Sequence, residues 1–438
     1  MVPESNVSVN SICYKRPSST YVNNSKKYLI PERTFERQYA SLYASRLRIT
    51  TDLLLCQIRR KWGPAANFKR LCDVEGDETA VVVGTIFKHM ELHPSILKEI
   101  SEEQNLIPQP VTNVFTTEDD YLILEDNLQR VVICGNIDPH AHVTGVNIAL
   151  KGHTDESGKF FVDDFCYPYA HDPDPLPSLT EDKYVLLVSG LTVGNASAAF
   201  PLQMLIDLIK GDLGEEKDLQ KFSRLVRVII AGNSINHDEA ELFKGRFLAR
   251  KTRPATIDNV KELDNFISQI VETVDVDLMP GEFDPSNHLL PQQPLHPCMF
   301  PKSAAFSTFH VVTNPYDSTI DGVKFFGSSG QNIKDISSFS KLRSPTDVLE
   351  KTLDWCHMIP TAPDTLNCYP YFDEDPFIIS KYPNVYFSGN ASKMEYRFND
   401  TKKVLMVAIP QFKDTFSALM LNLRTLEVEP IVVCDEVC

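Results

Sequence analysis

This 438-residue sequence lacks several features that would assign a function directly. Its ten cysteines form no CxxC pair, so neither a zinc ribbon nor an iron–sulfur site is readable. Scattered cysteines of this kind are typical of reduced thiols in the cytosol or nucleus. No apolar run approaches the roughly 20 residues that span a bilayer, and the first residues lack the basic-then-apolar pattern of a signal peptide. We therefore expect neither a membrane protein nor a secreted one.

An excess of basic residues is also lacking. The chain has 43 Lys and Arg against 59 Asp and Glu, a formal net charge of -16. Proteins that bind duplex DNA tightly need a basic face, because much of their affinity comes from neutralising phosphates. The acidic balance therefore favours protein partners, and we expect any link to DNA to be indirect. Hydrophobic residues make up 42% of the chain, enough for the cores of two or three domains.

The patterns divide the chain into three regions. Residues 1–34 are rich in Ser, Asn, Pro and Lys, which predicts a flexible tail. Residues 35–175 begin with helical spacing and continue as five short strands with a surface helix at 94–104, which is typical of a small closed barrel such as an OB-fold. Residues 176–438 alternate apolar strands with helices, which predicts a layered α/β domain. The Pro- and Asp-rich stretch 169–180 is predicted to link the two domains.

Five predicted strands of the last region end in a glycine-bearing turn with a polar residue beside it. The turns are SGL at 189–191, GNSIN at 232–236, GEFD at 281–284, GSSG at 327–330 and GNAS at 389–392. Ligands of open α/β folds bind in the crevice at the carboxyl ends of strands. The turns therefore indicate a site, or the remains of one, although glycine also serves simply to let a strand turn.

The order and spacing of these turns resemble the motifs of the calcineurin-like metallophosphoesterases, whose Asp, His and Asn ligands hold two divalent metals that activate water. At the matching positions this sequence has other residue types, and of the motif's acids only Asp284 stands. The replaced positions are Ser189, Leu191, Asn233, Asn236, Glu282, Phe283 (where the family has its catalytic His), Ser329, Asn390 and Ser392. Two cations need more anionic oxygens and imidazoles than this set supplies. We therefore expect no catalytic residue, no metal and no cofactor here.

A barrel followed by a degenerate phosphoesterase domain is similar to the B-subunits of eukaryotic replicative DNA polymerases. Long blocks carry this resemblance and favour the delta branch of that family: Val81–Glu103, Lys183–Leu191, Leu278–Pro301, Thr313–Gly322, Gly327–Ile336 and Pro360–Pro370. The resemblance implies a nuclear, non-catalytic scaffold in DNA replication and repair synthesis. It implies as partners the cysteine-rich C-terminal domain of the polymerase delta catalytic subunit, and a further accessory subunit that links to the sliding clamp.

Three other interpretations stay open on the sequence alone. One is an active metal-dependent phosphodiesterase or nuclease, and another is the B-subunit of polymerase alpha or epsilon. The third is a barrel that binds single-stranded DNA through its aromatic residues, against which the neighbouring acids Asp163 and Asp164 argue. The aromatic residues in question are Tyr121, Phe160, Phe161, Phe165 and Tyr167.

Two shorter motifs have a structural and a functional interpretation each. The Pro-rich segment Pro291–Pro301 is either a rigid loop that closes the old metal cleft or a contact surface for a partner subunit. His140 and His142 form an HxH pair, for which a surface loop of the barrel is favoured over a metal site. His296 and His357 lie outside the family's ligand positions, and we expect structural roles for both.

Overall fold

The computed structural model describes residues 14–74, 76, 78–93, 113–236 and 253–433. The surface helix predicted at 94–104 lies outside these ranges. None of the helices in the described part of the chain is long and apolar enough to cross a bilayer.

In chain order, the described residues form these strands and helices: β1 (Tyr21–Asn23), α1 (Ala40–Trp62), β2 (Ala80–His89), β3 (Tyr121–Glu125), β4 (Arg130–Gly135), β5 (Asn147–Thr154), β6 (Phe160–Cys166), β7 (Tyr184–Val188), α2 (Ala196–Lys210), α3 (Glu216–Phe222), β8 (Leu225–Ala231), α4 (Arg253–Val271), β9 (Asp275–Met279), β10 (Phe309–Val311), β11 (Tyr316–Ile320), β12 (Val323–Ser328), α5 (Gln331–Ser338), α6 (Pro345–Asp354), β13 (Val385–Ala391), β14 (Glu395–Asn399), β15 (Val404–Pro410), α7 (Phe412–Thr415), β16 (Ser417–Asn422) and β17 (Val428–Val432).

Strands β2 to β6 close into a barrel. They are hydrogen-bonded in the order β2-β3-β4-β6-β5, and β5 pairs back to β2 through partners such as Val82 and Leu150. Side chains that alternate along these strands, among them Val82, Ile86, Leu124 and Phe160, fill the interior. The closed five-stranded barrel predicted from the sequence is confirmed, and its strand order is that of an OB-fold.

The other strands of the described residues form a sandwich of two six-stranded sheets. Their orders are β1-β11-β12-β13-β15-β14 and β10-β9-β8-β7-β16-β17. Apolar side chains such as Val185, Ile229, Phe325 and Phe387 form the core between them. Helices α2 and α4 pack on the outer face of one sheet, and α5 and α6 on the outer face of the other. The predicted two-sheet α/β sandwich is therefore also confirmed.

The barrel and the sandwich share a core. Barrel side chains such as Leu122 belong to the same apolar cluster as Trp355, which follows helix α6. Buried polar contacts cross the same boundary, since Lys88 Nζ of β2 donates a hydrogen bond to Phe339 O at 2.9 Å. The barrel is therefore held against the helical face of the sandwich, and the segment between β6 and β7 that joins the two domains has no helix or strand.

Within the predicted flexible tail 1–34, the structure describes residues 14–34 and corrects the prediction for them. Strand β1 pairs antiparallel with β11 and completes the edge of a sheet. Tyr28 is fully buried, and Arg16 Nη1 donates to Phe222 O at the end of helix α3, at 2.7 Å. The prediction is wrong here because the polar composition of the segment hides a short strand whose partner lies almost 300 residues away. The first helix also begins at Ala40, five residues later than predicted.

Candidate functional site

The five glycine-bearing turns meet at one end of the sandwich. Strands β7, β8 and β9 run parallel in one sheet, and β12 and β13 run parallel in the other. Their carboxyl ends therefore lie at the same edge of the two sheets, as the sequence predicts. Five of the predicted site residues come together there: Ser189, Asn233, Asp284, Ser329 and Asn390.

Asp284 is buried and hydrogen-bonded entirely to backbone. Its Oδ1 accepts from Ser234 N at 2.9 Å and Ile235 N at 3.1 Å, and its Oδ2 accepts from Gly281 N at 2.8 Å. Burial raises the pKa of this carboxyl group to about 6, although the backbone N–H groups act in the opposite direction. The acid that the sequence retains thus ties the turn after β8 to the turn after β9.

Side chains at the other former ligand positions also bind the surrounding loops. Ser189 Oγ accepts from Asn390 N at 2.8 Å and donates to Pro410 O at 3.0 Å. Asn390 Nδ2 donates to Ser329 O at 2.8 Å. Asn233 Oδ1 accepts from Phe283 N at 3.2 Å. These bonds link strand ends of both sheets across the cleft, so the polar groups stabilise the protein's own backbone.

A network of amide side chains closes one side of the cleft, and no motif in the sequence indicates it. Asn314 Nδ2 donates to Ser329 Oγ at 2.7 Å and to Gln292 Oε1 at 2.9 Å. Gln292 Nε2 donates to Gly281 O at 2.9 Å, and Gln331 Nε2 donates to Gln292 Oε1 at 3.0 Å. Gln292 belongs to the Pro-rich segment, which therefore does close the cleft. Whether that segment also contacts a partner stays a prediction.

The remaining predicted residues take no side-chain part in these bonds between strand ends. Leu191 is 3% exposed and packs in the apolar core beneath helix α2. Glu282 is exposed, with its carboxylate 3.2 Å from Lys334 Nζ. Ser392 is exposed, and Asn236 is half-buried, with its backbone N donating to Val193 O. The structure therefore does not bring the full set of former ligand positions together.

The turns also lie too close together for side chains at their glycines. A Cβ atom added to Gly232 would lie 2.6 Å from Ser329 Cβ and 2.8 Å from Gly281 Cα. A Cβ added to Gly389 would overlap Ala231 O. Backbone from the two sheets is thus in direct contact where the metals of a phosphoesterase would be expected.

The residues present do not fit a dinuclear metal centre. Two buried oxygens here, Asn390 Oδ1 and Ser234 Oγ, have no hydrogen-bond partner in the structure. Both are neutral, and the buried carboxylate of Asp284 is already bonded to three N–H groups. Within the described ranges, no group of three or more His, Cys, Asp and Glu side chains is placed to hold a metal ion. Two divalent cations would not be neutralised by such a set.

His142 of the HxH pair and His357 are both buried and lie within hydrogen-bond distance of other protein groups. His142 is buried between two partners, with Nδ1 2.7 Å from Asp138 O and Nε2 2.7 Å from Tyr167 Oη. Burial lowers its pKa to about 4, so the ring is neutral. His357 is buried too, with Nε2 2.9 Å from Asp375 Oδ2. His142 and His357 therefore have structural roles, but the expected surface loop is wrong for His142, which is buried beside the short 3-10 turn Pro139–Ala141.

The barrel aromatics do not form one stacking surface. Phe160 is buried in the barrel interior, and Phe165 and Tyr167 pack against the ring of His142. Tyr121 and Phe161 are exposed, but each ring stacks on a histidine of the neighbouring strand. Phe160 therefore packs in the core, Phe165 and Tyr167 pack against it, and Tyr121 and Phe161 stay exposed.

Each of the two domains matches a family model of DNA polymerase subunits, which defines the class of protein. The family model "DNA polymerase delta subunit OB-fold domain" matches residues 38–165, and the family model for the B-subunit of DNA polymerases alpha and epsilon matches residues 185–397. These segments lie on either side of the predicted linker.

Individual relatives agree with the family models. The chain is 41% identical over 418 residues to the DNA polymerase delta small subunit of Oryza sativa subsp. japonica, covering 94% of this chain and 97% of the relative. It is 36% identical over 420 residues to DNA polymerase delta subunit 2 of Drosophila melanogaster, covering 94% and 97%. A solved archaeal phosphodiesterase is 12% identical, covers 57% of this chain with 99% of its own length, and has a TM-score of 0.30. The chain belongs to the family of DNA polymerase delta small subunits.

Proposed function

We propose that this chain is a non-catalytic scaffold subunit of DNA polymerase delta. Its barrel and its degenerate phosphoesterase domain form one platform for the other subunits in replication and repair synthesis, and it acts in the nucleus. The names and full-length coverage of its relatives support the assignment to the polymerase. The shared core supports the role of a platform, because a scaffold has to hold its binding surfaces in fixed relative positions.

One observation supports the non-catalytic part of the proposal. Both carboxylates left at the former ligand positions are already engaged: that of Asp284 accepts backbone N–H groups, and that of Glu282 is exposed and lies 3.2 Å from Lys334 Nζ. A hydrolase of this class needs those positions to hold metals that activate water. The filled cleft therefore argues for a domain kept for its shape and stability.

We propose as the principal partner the cysteine-rich C-terminal domain of the catalytic subunit. A further accessory subunit would bind another face, and the sliding clamp and DNA would be reached through these partners. Co-expression with the catalytic domain should give a stoichiometric complex on gel filtration. The same chain, supplied with Mn²⁺, should hydrolyse bis(p-nitrophenyl) phosphate no faster than buffer. Separate elution of the two proteins would contradict the scaffold role, and Asp284-dependent hydrolysis would contradict the non-catalytic one.

A further inference from the structure

A groove separates helix α1 from the mouth of the barrel, with a volume of about 440 Å³. Its helical wall consists of Ala40, Tyr43, Ala44 and Leu47, which follow the i, i+3, i+4, i+7 spacing of one helix face. Ala40 and Ala44 are exposed and lie one turn apart. Small exposed residues at this spacing let a second helix approach closely, because interaxial distance depends on the side chains at the contact.

The barrel forms the opposite wall of the groove, and charged residues lie along its rim. The barrel contributes the apolar side chains Ile86 and Phe87 together with the hydroxyls of Thr85 and Thr144, so the groove combines apolar and polar surface. The groove is also lined by three carboxylates and one cation: Glu125, Asp126 and Arg130 come from the β3–β4 hairpin, and Asp364 comes from the sandwich. The groove thus lies where the two domains meet, and a partner seated in it would contact both.

Only part of this negative charge is balanced by neighbours in the structure. Arg130 Nη2 lies 3.0 Å from Glu125 Oε1, but the pair is not aligned as a hydrogen bond and this buried oxygen has no such partner. Asp364 Oδ2 lies 3.4 Å from His93 Nε2. Burial raises the pKa of Tyr43 to about 12, Arg46 acts in the opposite direction, and Asp364 and Glu125 add to the rise. Burial is the main cause of this rise, so the Tyr43 hydroxyl stays neutral in the groove.

Three aromatic side chains near the start of helix α1 or on the sandwich are exposed. Tyr39, one turn before Tyr43, is 37% exposed, and Phe35 is 59% exposed. Phe372 is 47% exposed, with the Arg37 guanidinium 5.1 Å from its ring centroid. Aromatic residues are enriched at protein–protein contact surfaces.

We propose that this groove binds a basic amphipathic helix from another polymerase subunit. A bulky apolar side chain of that helix enters between Ala44 and Phe87, and its Arg or Lys side chains face Glu125 and Asp364. This is helix-in-groove recognition, in which apolar anchors provide affinity and the rim charges provide orientation and association rate. The inference rests on the proposed scaffold function, since it names the chemistry of one partner segment.

Two variants of the full-length chain test the proposal in complexes with the C-terminal domain of the catalytic subunit and, separately, with the next accessory subunit. Ala44→Trp fills the groove and should weaken one of the two complexes at least tenfold. Its control is Cys56→Trp, exposed on the same helix about three turns further on. Glu125→Gln/Asp364→Asn should weaken the same complex several-fold and reduce its salt dependence. Its control is Glu156→Gln/Asp163→Asn at exposed barrel positions.

Affinity is measured by surface plasmon resonance after circular dichroism has shown that each variant is folded. A tenfold loss with Ala44→Trp but not with Cys56→Trp supports the groove. If folded Ala44→Trp binds both partners with the affinity of the wild type, the groove proposal is overturned, while the scaffold function stands. If the wild-type chain binds neither of the two partners, the scaffold function and the groove proposal are both contradicted.

Discussion

Arg46 of helix α1 and Asp375 of the sandwich form a fully buried ion pair, with Nε 2.7 Å from Oδ2. The same guanidinium donates to Pro360 O and Ala362 O, each at 2.8 Å. On its other side Asp375 Oδ2 lies 2.9 Å from His357 Nε2. His357 Nδ1 accepts from Ile359 N, so the ring is neutral and donates from Nε2. These contacts fix the first helix to the second domain.

Arg46→Met should lower the free energy of unfolding by about 3–5 kcal/mol, because it leaves the Asp375 charge buried without its partner. Urea denaturation followed by circular dichroism measures this loss. The matched control is Arg48→Met, since Arg48 is exposed on the same helix and donates only to Asp373 O. A loss no larger than that of the control would show that the pair does not tie the two domains together.

Asp284 should make stability depend on pH in a distinctive direction. Its folded-state pKa of about 6 lies above the ordinary value of 3.8, so the folded protein binds this proton more tightly than the unfolded chain does. The contribution of this group to stability therefore rises as pH falls from 7 to 4.5, by about 2 kcal/mol. Asp335 shifts in the same direction, so wild type has to be compared with Asp284→Asn, in which the rise should be smaller by that amount. Parallel pH profiles for the two proteins would exclude an elevated pKa at Asp284.

Gly389→Ala should be more damaging than an ordinary Gly→Ala change. Its new methyl group would overlap Ala231 O, so the backbone of two strand ends would have to separate. Gly158→Ala is the control, because Gly158 has φ +78° but open space around its Cβ position. The melting temperature of Gly389→Ala should fall further than that of Gly158→Ala. The reverse order would mean that the cleft is not closely packed.

Tyr167→Phe should destabilise the barrel by about 1–3 kcal/mol, because it leaves His142 Nε2 buried without its hydroxyl partner. The control is Tyr169→Phe, because the Tyr169 hydroxyl donates to Asp172 Oδ1 at an exposed position. Both are measured by thermal unfolding at pH 7.5, where His142 is neutral. Equal melting temperatures for the two variants would count against the His142–Tyr167 bond.

Removing the N-terminal segment should destabilise the sandwich. A chain that begins at residue 35 lacks strand β1 and the buried ring of Tyr28, a loss of about 3–5 kcal/mol for the ring alone. It also uncovers Arg227, whose guanidinium lies 3.8 Å from the ring centroid of Tyr21. A chain that begins at residue 14 keeps all of these contacts and is the control. Equal stability of the two chains would support the flexible tail that the composition predicts.

Much of the fold could be predicted because hydrophobic periodicity is local. Strands β3 and β7 have the predicted bounds, Tyr121–Glu125 and Tyr184–Val188, and the alternation of strands and helices after 180 indicates the sandwich. Strand β1 could not be predicted, because three residues carry no periodicity and its pairing with Ile320 is non-local. Helix α2 contains Pro201 and is apolar on several sides, so its pattern is weak.

The candidate site was predictable in position but not in its interactions. Glycine turns after parallel strands have to meet at one edge, which places Ser189, Asn233 and Ser329 together. Asp284 binds backbone, whereas the carboxylate of Glu282 lies beside Lys334. This difference depends on loop geometry, which no local sequence pattern contains. The roles of Asn314 and Gln292 are not predictable for the same reason, since each bonds to partners 11 to 22 residues away in other loops.

Isothermal calorimetry of the purified full-length chain with Mn²⁺ is the most direct test of the central claim. It shows whether the polar groups of the cleft bind metal ions or only the protein's own backbone. We predict no saturable uptake at pH 7.5, and the same trace for wild type and Asp284→Asn. Stoichiometric binding of one or two Mn²⁺ ions that disappears in Asp284→Asn would contradict the account.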